Sequence, residues 1–173
     1  LRGALDQWAE INVQGACALD LGSSTGGFTQ VLLERGATCV VAMDVGTHQL
    51  HEKLRADPRV VVMEQTHVLK VDEAFWLDKK AAPPFDVIVT DLSFISLTKI
   101  IPHVAPWLKK AGHWILLIKP QFEVGPKKAP GGIVKDPRYH TEAIEMVKAV
   151  VSAQSDLKWQ GLIPSPIKGG DGN

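Results

Sequence analysis

The sequence is short of most features that would betray a function at once. Only two cysteines occur in 173 residues, Cys17 and Cys39, too few for a disulfide framework. Both fall in runs that read as buried strands, so they are expected to be small core residues of a reduced, cytoplasmic protein. Net charge is zero, with 19 basic and 19 acidic side chains; any affinity for nucleic acid therefore has to come from a local patch. No apolar stretch approaches the ~18–20 residues of a membrane span, and no signal peptide is expected. The longest apolar runs, such as residues 114–118, have strand length. Repeats and low-complexity segments are missing. The six histidines lack ligand spacing with cysteine or acid; His48 and His51 are expected on one helical face without further partners, and no metal is expected. A Walker phosphate loop and a Ser-His-Asp arrangement are absent too.

What remains is an ordinary globular composition, 45% apolar and 22% charged, which suits one domain with a real core. Short apolar runs alternate with helical patterns, which predicts an α/β fold with a doubly wound, mostly parallel sheet. Strands are expected at residues 17–21, 38–44, 60–63, 87–91, 114–118 and 157–163. Helices are expected near 1–8, 27–35, 48–56, 100–109 and 141–153. Gly36 suits the residue after a helix end, Asp57-Pro58 stops a helix, and Ala111-Gly112 is expected to turn the chain into the fifth strand. Residues 121–138, with Gly125-Pro126, Pro130-Gly131-Gly132 and Pro137, read as a long structureless loop of the functional kind.

In such a sheet, ligands bind beyond the carboxyl ends of the strands at the switch point of strand order. The first strand ends there in Asp20-Leu21-Gly22-Ser23-Ser24-Thr25-Gly26-Gly27-Phe28. Its glycines permit a tight turn and close approach of backbone to ligand as a helix begins. The spacing departs from G-x-G-x-x-G, because Ser24 stands where the second glycine belongs. Asp20 would repel a pyrophosphate but accept hydrogen bonds from the ammonium of a methionine moiety, which favours S-adenosyl-L-methionine over a dinucleotide. Asp44, ending the second strand, is placed to take both ribose hydroxyls of an adenosine; the plain alternative is a helix cap. The third strand is followed by Glu64-Gln65-Thr66-His67, where the adenine should lie beside Thr66 and His67, unless His67 is an ordinary loop histidine.

Two further strand ends carry Asp91 and Lys119. Neighbouring strands lie ~4.8 Å apart, so a similar register would bring this carboxylate and ammonium together, with Asp91 also at the cofactor crevice. A lysine directly after an apolar run needs a partner; a structural ion pair is the alternative to a catalytic role. Methylating a hydroxyl requires aligning a poor nucleophile and managing its proton, work suited to a lysine tuned by burial and a carboxylate.

These segments, DLGSSTGGF at 20–28, DLSFISL at 91–97, KPQFE at 119–123 and the tail Pro164-Ser165-Pro166-Ile167 ending in Gly172-Asn173, together resemble the TlyA family of FtsJ-like rRNA methyltransferases, often labelled hemolysins. The resemblance implies a Rossmann-like fold, S-adenosyl-L-methionine as cofactor, ribosomal RNA or ribosomal subunits as partner, and methylation of a cytidine 2′-hydroxyl. The family uses a Lys-Asp-Lys-Glu tetrad, of which Asp91 and Lys119 match the second and third members. The first lysine would fall just before Leu1 and the glutamate just after Asn173. The chain is thus expected to be the core of a longer protein, weak or inactive alone, with the family's amino-terminal RNA-binding domain outside it. Lys109-Lys110, Lys127-Lys128, Lys135 and Arg138 are candidate phosphate contacts around the active-site mouth. The competing readings are a membrane-lytic protein and a module that binds the cofactor without catalysis.

Overall fold

The computed structural model describes residues 1–167. Five strands form one sheet: β1 Cys17–Leu21, β2 Cys39–Met43, β3 Val60–Met63, β4 Phe85–Thr90 and β5 Leu108–Leu116. Their order is β3-β2-β1-β4-β5 and every pairing is parallel. This is the doubly wound α/β arrangement, with strand order reversing between β1 and β4. The sequence cause is the run of small and β-branched apolar residues in each central strand, which suits a strand covered on both faces. Ala18, Leu19, Asp20 and Leu21 are all fully buried, as are Val40, Val41, Val87, Ile88 and Val89 to within a percent.

The chain divides into two compact units. The first, Leu1–Asp91 with Pro106–Leu116, contains the whole sheet together with helices α1 Arg2–Gln7, α2 Gly27–Glu34, α3 Glu52–Arg55 and α4 Glu73–Trp76. Its core joins β1, β2 and β4 to α1 and α2 through Leu5, Val31, Leu32, Val40 and Val87. A second cluster forms where Trp76 of α4 meets Phe85 and Trp107 edge-on, with ring centroids 5.7 and 5.4 Å apart. The other unit, Leu92–Ala105 with the chain from Leu117 onward, contains α5 Leu97–Val104, α6 Pro120–Glu123 and α7 Pro137–Ser152. Leu97, Ile100, Ile101 and Val104 on α5, and Ala143, Val147 and Val151 on α7, are buried at helical spacing where the two helices pack. Burying each large apolar side chain contributes about 1.5–3 kcal/mol.

Several sequence-based expectations need correction. The helix expected at 48–56 is only α3, because His51 takes the cap position and its Nδ1 accepts from Lys53 N–H at 3.2 Å. His48 therefore lies outside it. The helix expected at 100–109 starts earlier, capped by Ser96, and ends at Val104. β5 then begins at Leu108 rather than Trp114. Leu108 pairs with Phe85 and His113 with Val87, so the intervening residues bulge and Ala111-Gly112 kinks the strand from within. A side chain at Gly112 would come 2.8 Å from the Asp86 carbonyl, which leaves room only for glycine. Residues 121–138 contain most of α6, a 3-10 turn at Pro130–Gly132 and the start of α7; Pro130 and Pro137 begin helical turns there instead of preventing them. α4 was not anticipated, although Asp72 caps it by accepting from Phe75 N–H at 2.9 Å. No strand forms at 157–163, where the chain runs without regular structure and Leu162 is half exposed. Gly172 and Asn173 lie outside the described residues.

The cysteines are neither deeply buried nor bonded. They open β1 and β2 as direct register partners, both half-buried and both free. Burial first, then the neighbouring Cys39, pushes the Cys17 thiol up to about 12.

Candidate cofactor and active site

The first unit gathers three carboxylates at the carboxyl ends of three neighbouring strands: Asp20 on β1, Asp44 just beyond β2 and Asp91 just beyond β4. Asp20 is completely buried. Thr29, one turn into α2, donates its hydroxyl to Asp20 Oδ2 at 2.7 Å, while Asp20 Oδ1 is buried without a hydrogen-bond partner. Burial raises the Asp20 pKa to about 7, against the Thr29 hydrogen bonds, and the Asp91 and Asp44 carboxylates push the same way as burial. A buried carboxylate with an unused oxygen is costly unless a cationic or donor ligand completes it.

The turn after β1 has the shape that its glycines allow. Gly22 and Gly26 have φ of 83° and 102°, and Ser24 is drawn into the same left-handed region at 46°. A side chain at Gly26 would come 2.2 Å from Leu54 Cδ1 and 2.8 Å from Leu50 Cδ1. The main chain here therefore lies tight against the segment leading into α3. Ser23 is buried, and its Oγ has no partner. Ser24, Thr25 and Gly27 are exposed, and Phe28 is half-buried against the core.

Asp44 organises its own loop. Its Oδ2 accepts from Ser24 N–H at 2.9 Å and its Oδ1 from Gly46 N–H at 2.7 Å, which ties the β2 end to the glycine turn. Each carboxylate oxygen has a second lone pair for a ligand. Glu64, which the sequence places only in the loop expected beside the adenine, braces the other side of the Asp44 loop. It accepts from the N–H groups of His48, Gln49 and Leu50 at 2.8, 2.8 and 3.0 Å and from Arg55 Nη2 at 2.7 Å. The Leu50 N–H and the Arg55 guanidinium hold the Glu64 carboxyl down at about 2. Thr66 donates its hydroxyl to the Glu64 carbonyl at 3.1 Å. His67 is exposed, and its Nδ1 accepts from Leu69 N–H at 3.2 Å, capping a short 3-10 turn.

Asp91 continues the ladder past β4, donating its N–H to the Leu21 carbonyl at 2.9 Å, which fixes it beside the glycine turn.

Lys119 belongs to the second unit, where it caps α6. Its Nζ donates to Ser93 Oγ at 3.0 Å and lies 6.0 Å from the Phe122 ring centroid. Next to Ser93 stands Phe94, a residue the sequence reading passed over. It is 91% exposed with φ of 63°, a rare conformation for a bulky side chain and one that clusters at functional sites. Its ring leans on Phe122 with centroids 5.2 Å apart. The signal in the sequence was a phenylalanine inside a polar turn after an acidic strand end.

The candidate phosphate contacts divide. Lys109 and Lys110 lie at the amino end of β5, away from the strand ends that carry the carboxylates, and Lys109 pairs with Asp86 at 2.7 Å. Lys128 is held bidentately by Glu142 and sits 5.1 Å from the Tyr139 ring centroid. Arg138 pairs with Asp136 at 2.6 Å. Lys127 and Lys135 remain exposed. Among the described residues, no cluster of histidine, cysteine and acid is suited to a metal, and no helix is long and apolar enough to cross a membrane.

A parallel sheet of this order, with acidic strand ends around a glycine turn, defines a Rossmann-like methyltransferase fold. The chain belongs to the FtsJ-like methyltransferase family, whose model matches residues 1–173. It is 43% identical over 176 residues to the 16S/23S rRNA (cytidine-2′-O)-methyltransferase TlyA of Mycobacterium tuberculosis, covering all of this chain and 62% of the relative. The chain thus spans about three-fifths of the length of that curated relative. Among solved structures, a protein from Lactococcus lactis described as a hemolysin superposes with a TM-score of 0.89 at 42% identity, over 99% of this chain and 80% of the other. An S-adenosylmethionine-dependent methyltransferase from Mesorhizobium loti shares the fold, with a TM-score of 0.51 at 20% identity over 69% of this chain and 56% of the other.

Proposed function

We propose that this chain is the catalytic core of an enzyme that methylates a ribose 2′-hydroxyl, that of a cytidine in ribosomal RNA, with S-adenosyl-L-methionine as cofactor. The observation that carries the reading is the buried Asp20 carboxylate with one oxygen unused, set between the glycine turn and Asp91. The residues fit the cofactor. Asp20 supplies an anionic acceptor for an ammonium group. The main chain of Gly22, Ser23, Ser24, Thr25, Gly26, Gly27 and Phe28 supplies close approach, Asp44 the ribose contact, and Thr66 with His67 the adenine side. When bound, S-adenosyl-L-methionine supplies a methyl group already activated on a sulfonium.

The protein's part is then positioning and proton handling. Lys119 holds the ribose oxygen and stabilises the negative charge that grows on it as its proton passes to water, while the Asp91 carboxylate at the head of the glycine turn orients the reacting groups. Phe94, exposed and leaning on Phe122, offers a face on which an unstacked nucleobase can lie. The relatives named rRNA (cytidine-2′-O)-methyltransferases support RNA as substrate. Lys127 and Lys135 are the exposed lysines in the second unit best suited to phosphate.

The test is methyl transfer by the full-length protein to ribosomal RNA or ribosomal subunits, read by mass spectrometry of the nucleosides. Asp91→Ala and Lys119→Ala are each expected to abolish 2′-O-methylcytidine formation while changing cofactor affinity by less than about threefold. Methylation on a base, or undiminished transfer by both variants, would overturn the assignment.

A further inference from the structure

Among the described residues of the second unit, Glu123 is the one buried acid, 7% exposed, and neither the cofactor contacts nor the proton handling above uses it. Its Oε1 accepts from Leu97 N–H at 2.9 Å and its Oε2 from the Ser96 hydroxyl at 2.5 Å. Ser96 also accepts from Thr98 N–H at 3.1 Å as the cap of α5. The acid therefore sits at the amino end of α5, where the first N–H groups and the helix dipole favour negative charge.

The contacts close a ring. Lys119 and Glu123 stand four residues apart across α6, joined by its backbone: Phe122 N–H bonds to the Lys119 carbonyl at 3.0 Å. At one end Lys119 reaches Ser93; at the other, Glu123 reaches Ser96 and Leu97. Between Ser93 and Ser96 lies Phe94 in its left-handed conformation. Two short segments are thus bolted together at both ends, the lysine forming one bolt and the exposed ring lying between the two. A residue held in a sparsely populated conformation persists only where its surroundings over-determine it. A lysine with four rotatable carbons likewise needs a fixed partner to keep one position.

We propose that Glu123 is a positioning residue: it clamps the segment 92–97 to α6 and thereby sets where Ser93 holds the Lys119 ammonium and where Phe94 presents its ring. The proposal rests on the functional reading of Lys119 above. Glu123 acts through geometry and not through its charge, so its variants should sort by reach. Glu123→Gln keeps the acceptor for Leu97 N–H and a polar group for Ser96. Glu123→Asp keeps the charge but withdraws it by one methylene, and Glu123→Ala removes both.

In the full-length enzyme, Glu123→Gln is expected to keep kcat within about threefold of wild type. Asp and Ala should lower it on the order of 10- to 100-fold, the loss that a displacement of about 1 Å produces. Cofactor Kd should stay within about twofold in all three. Competitive acylation of lysines, quantified by mass spectrometry, should show Lys119 labelled several times faster in the Asp and Ala variants and at the wild-type rate in Gln. Wild-type kcat in the Ala variant would overturn the proposal. So would the reverse order, with Asp active and Gln inactive, since that order assigns the role to charge. Should the wild type not methylate ribosomal RNA at all, the functional reading fails. The labelling order of Lys119 then decides the clamp by itself: an unchanged rate across the variants refutes it.

Discussion

Asp20→Asn should do two opposite things, and both follow from one buried oxygen. In the folded chain the carboxyl titrates near 7 against an ordinary value of 3.8. The folded state therefore holds a proton that the unfolded state releases between about pH 4 and pH 7. Stability contributed by the neutral form is lost as pH rises through that window, and the loss is complete above about pH 7. At about 1.4 kcal/mol per pKa unit, the ionised carboxylate costs the cofactor-free fold on the order of 4 kcal/mol. Asparagine cannot ionise. It still accepts from Thr29, but it buries an amide donor at the Oδ1 position, a cost of about 1–3 kcal/mol at every pH. Denaturant unfolding at pH 4.5 and pH 8, run on both proteins without cofactor, separates the terms. Wild type should lose about 3 kcal/mol relative to the variant between those pH values, or roughly 10 °C in Tm for a chain of this size. Cofactor binding should show the converse. Wild-type affinity for S-adenosyl-L-methionine, measured by calorimetry, should rise about 5- to 10-fold from pH 6 to pH 7.5 as Asp20 ionises. The variant should bind weakly and without that slope. Parallel unfolding profiles, or a variant that binds as tightly as wild type, would refute the account of Asp20 as a buried acid completed by a cationic ligand.

Two further outcomes are expected. Gly26→Ala forces a side chain into φ of 102° and against the Leu54 methyl; unfolding should show a loss of about 1–3 kcal/mol, with weakened cofactor binding, and an unchanged Cm would contradict the observed turn. Phe94→Ala removes an exposed ring, so stability should stay within about 0.5 kcal/mol while KM for ribosomal RNA rises about 10-fold or more, the worth of one stacked base. An unaltered KM would remove Phe94 from the RNA-binding surface.

The chain's pattern alone determined most of the sheet and the strand ends where three acids gather. Strands with both faces buried read as uninterrupted apolar runs, and the runs at 17–21 and 60–63 matched β1 and β3 to the residue. Asp20, Asp44 and Asp91 stood out because an acid after such a run is either a cap or a ligand group, and neighbouring parallel strands necessarily bring such ends together. Periodicity could not supply what depends on distant partners. It did not show that β5 starts at Leu108, because that start depends on a bulge opposite Phe85. Nor did it foretell that residues 157–163 would remain unpaired: an apolar alternating run is a strand only when another strand accepts its hydrogen bonds. The roles of Glu64 and Glu123 were equally hidden. Each is an unremarkable acid in the sequence, and only tertiary structure brings the backbone N–H groups of residues 48–50 to the first and of Leu97 to the second.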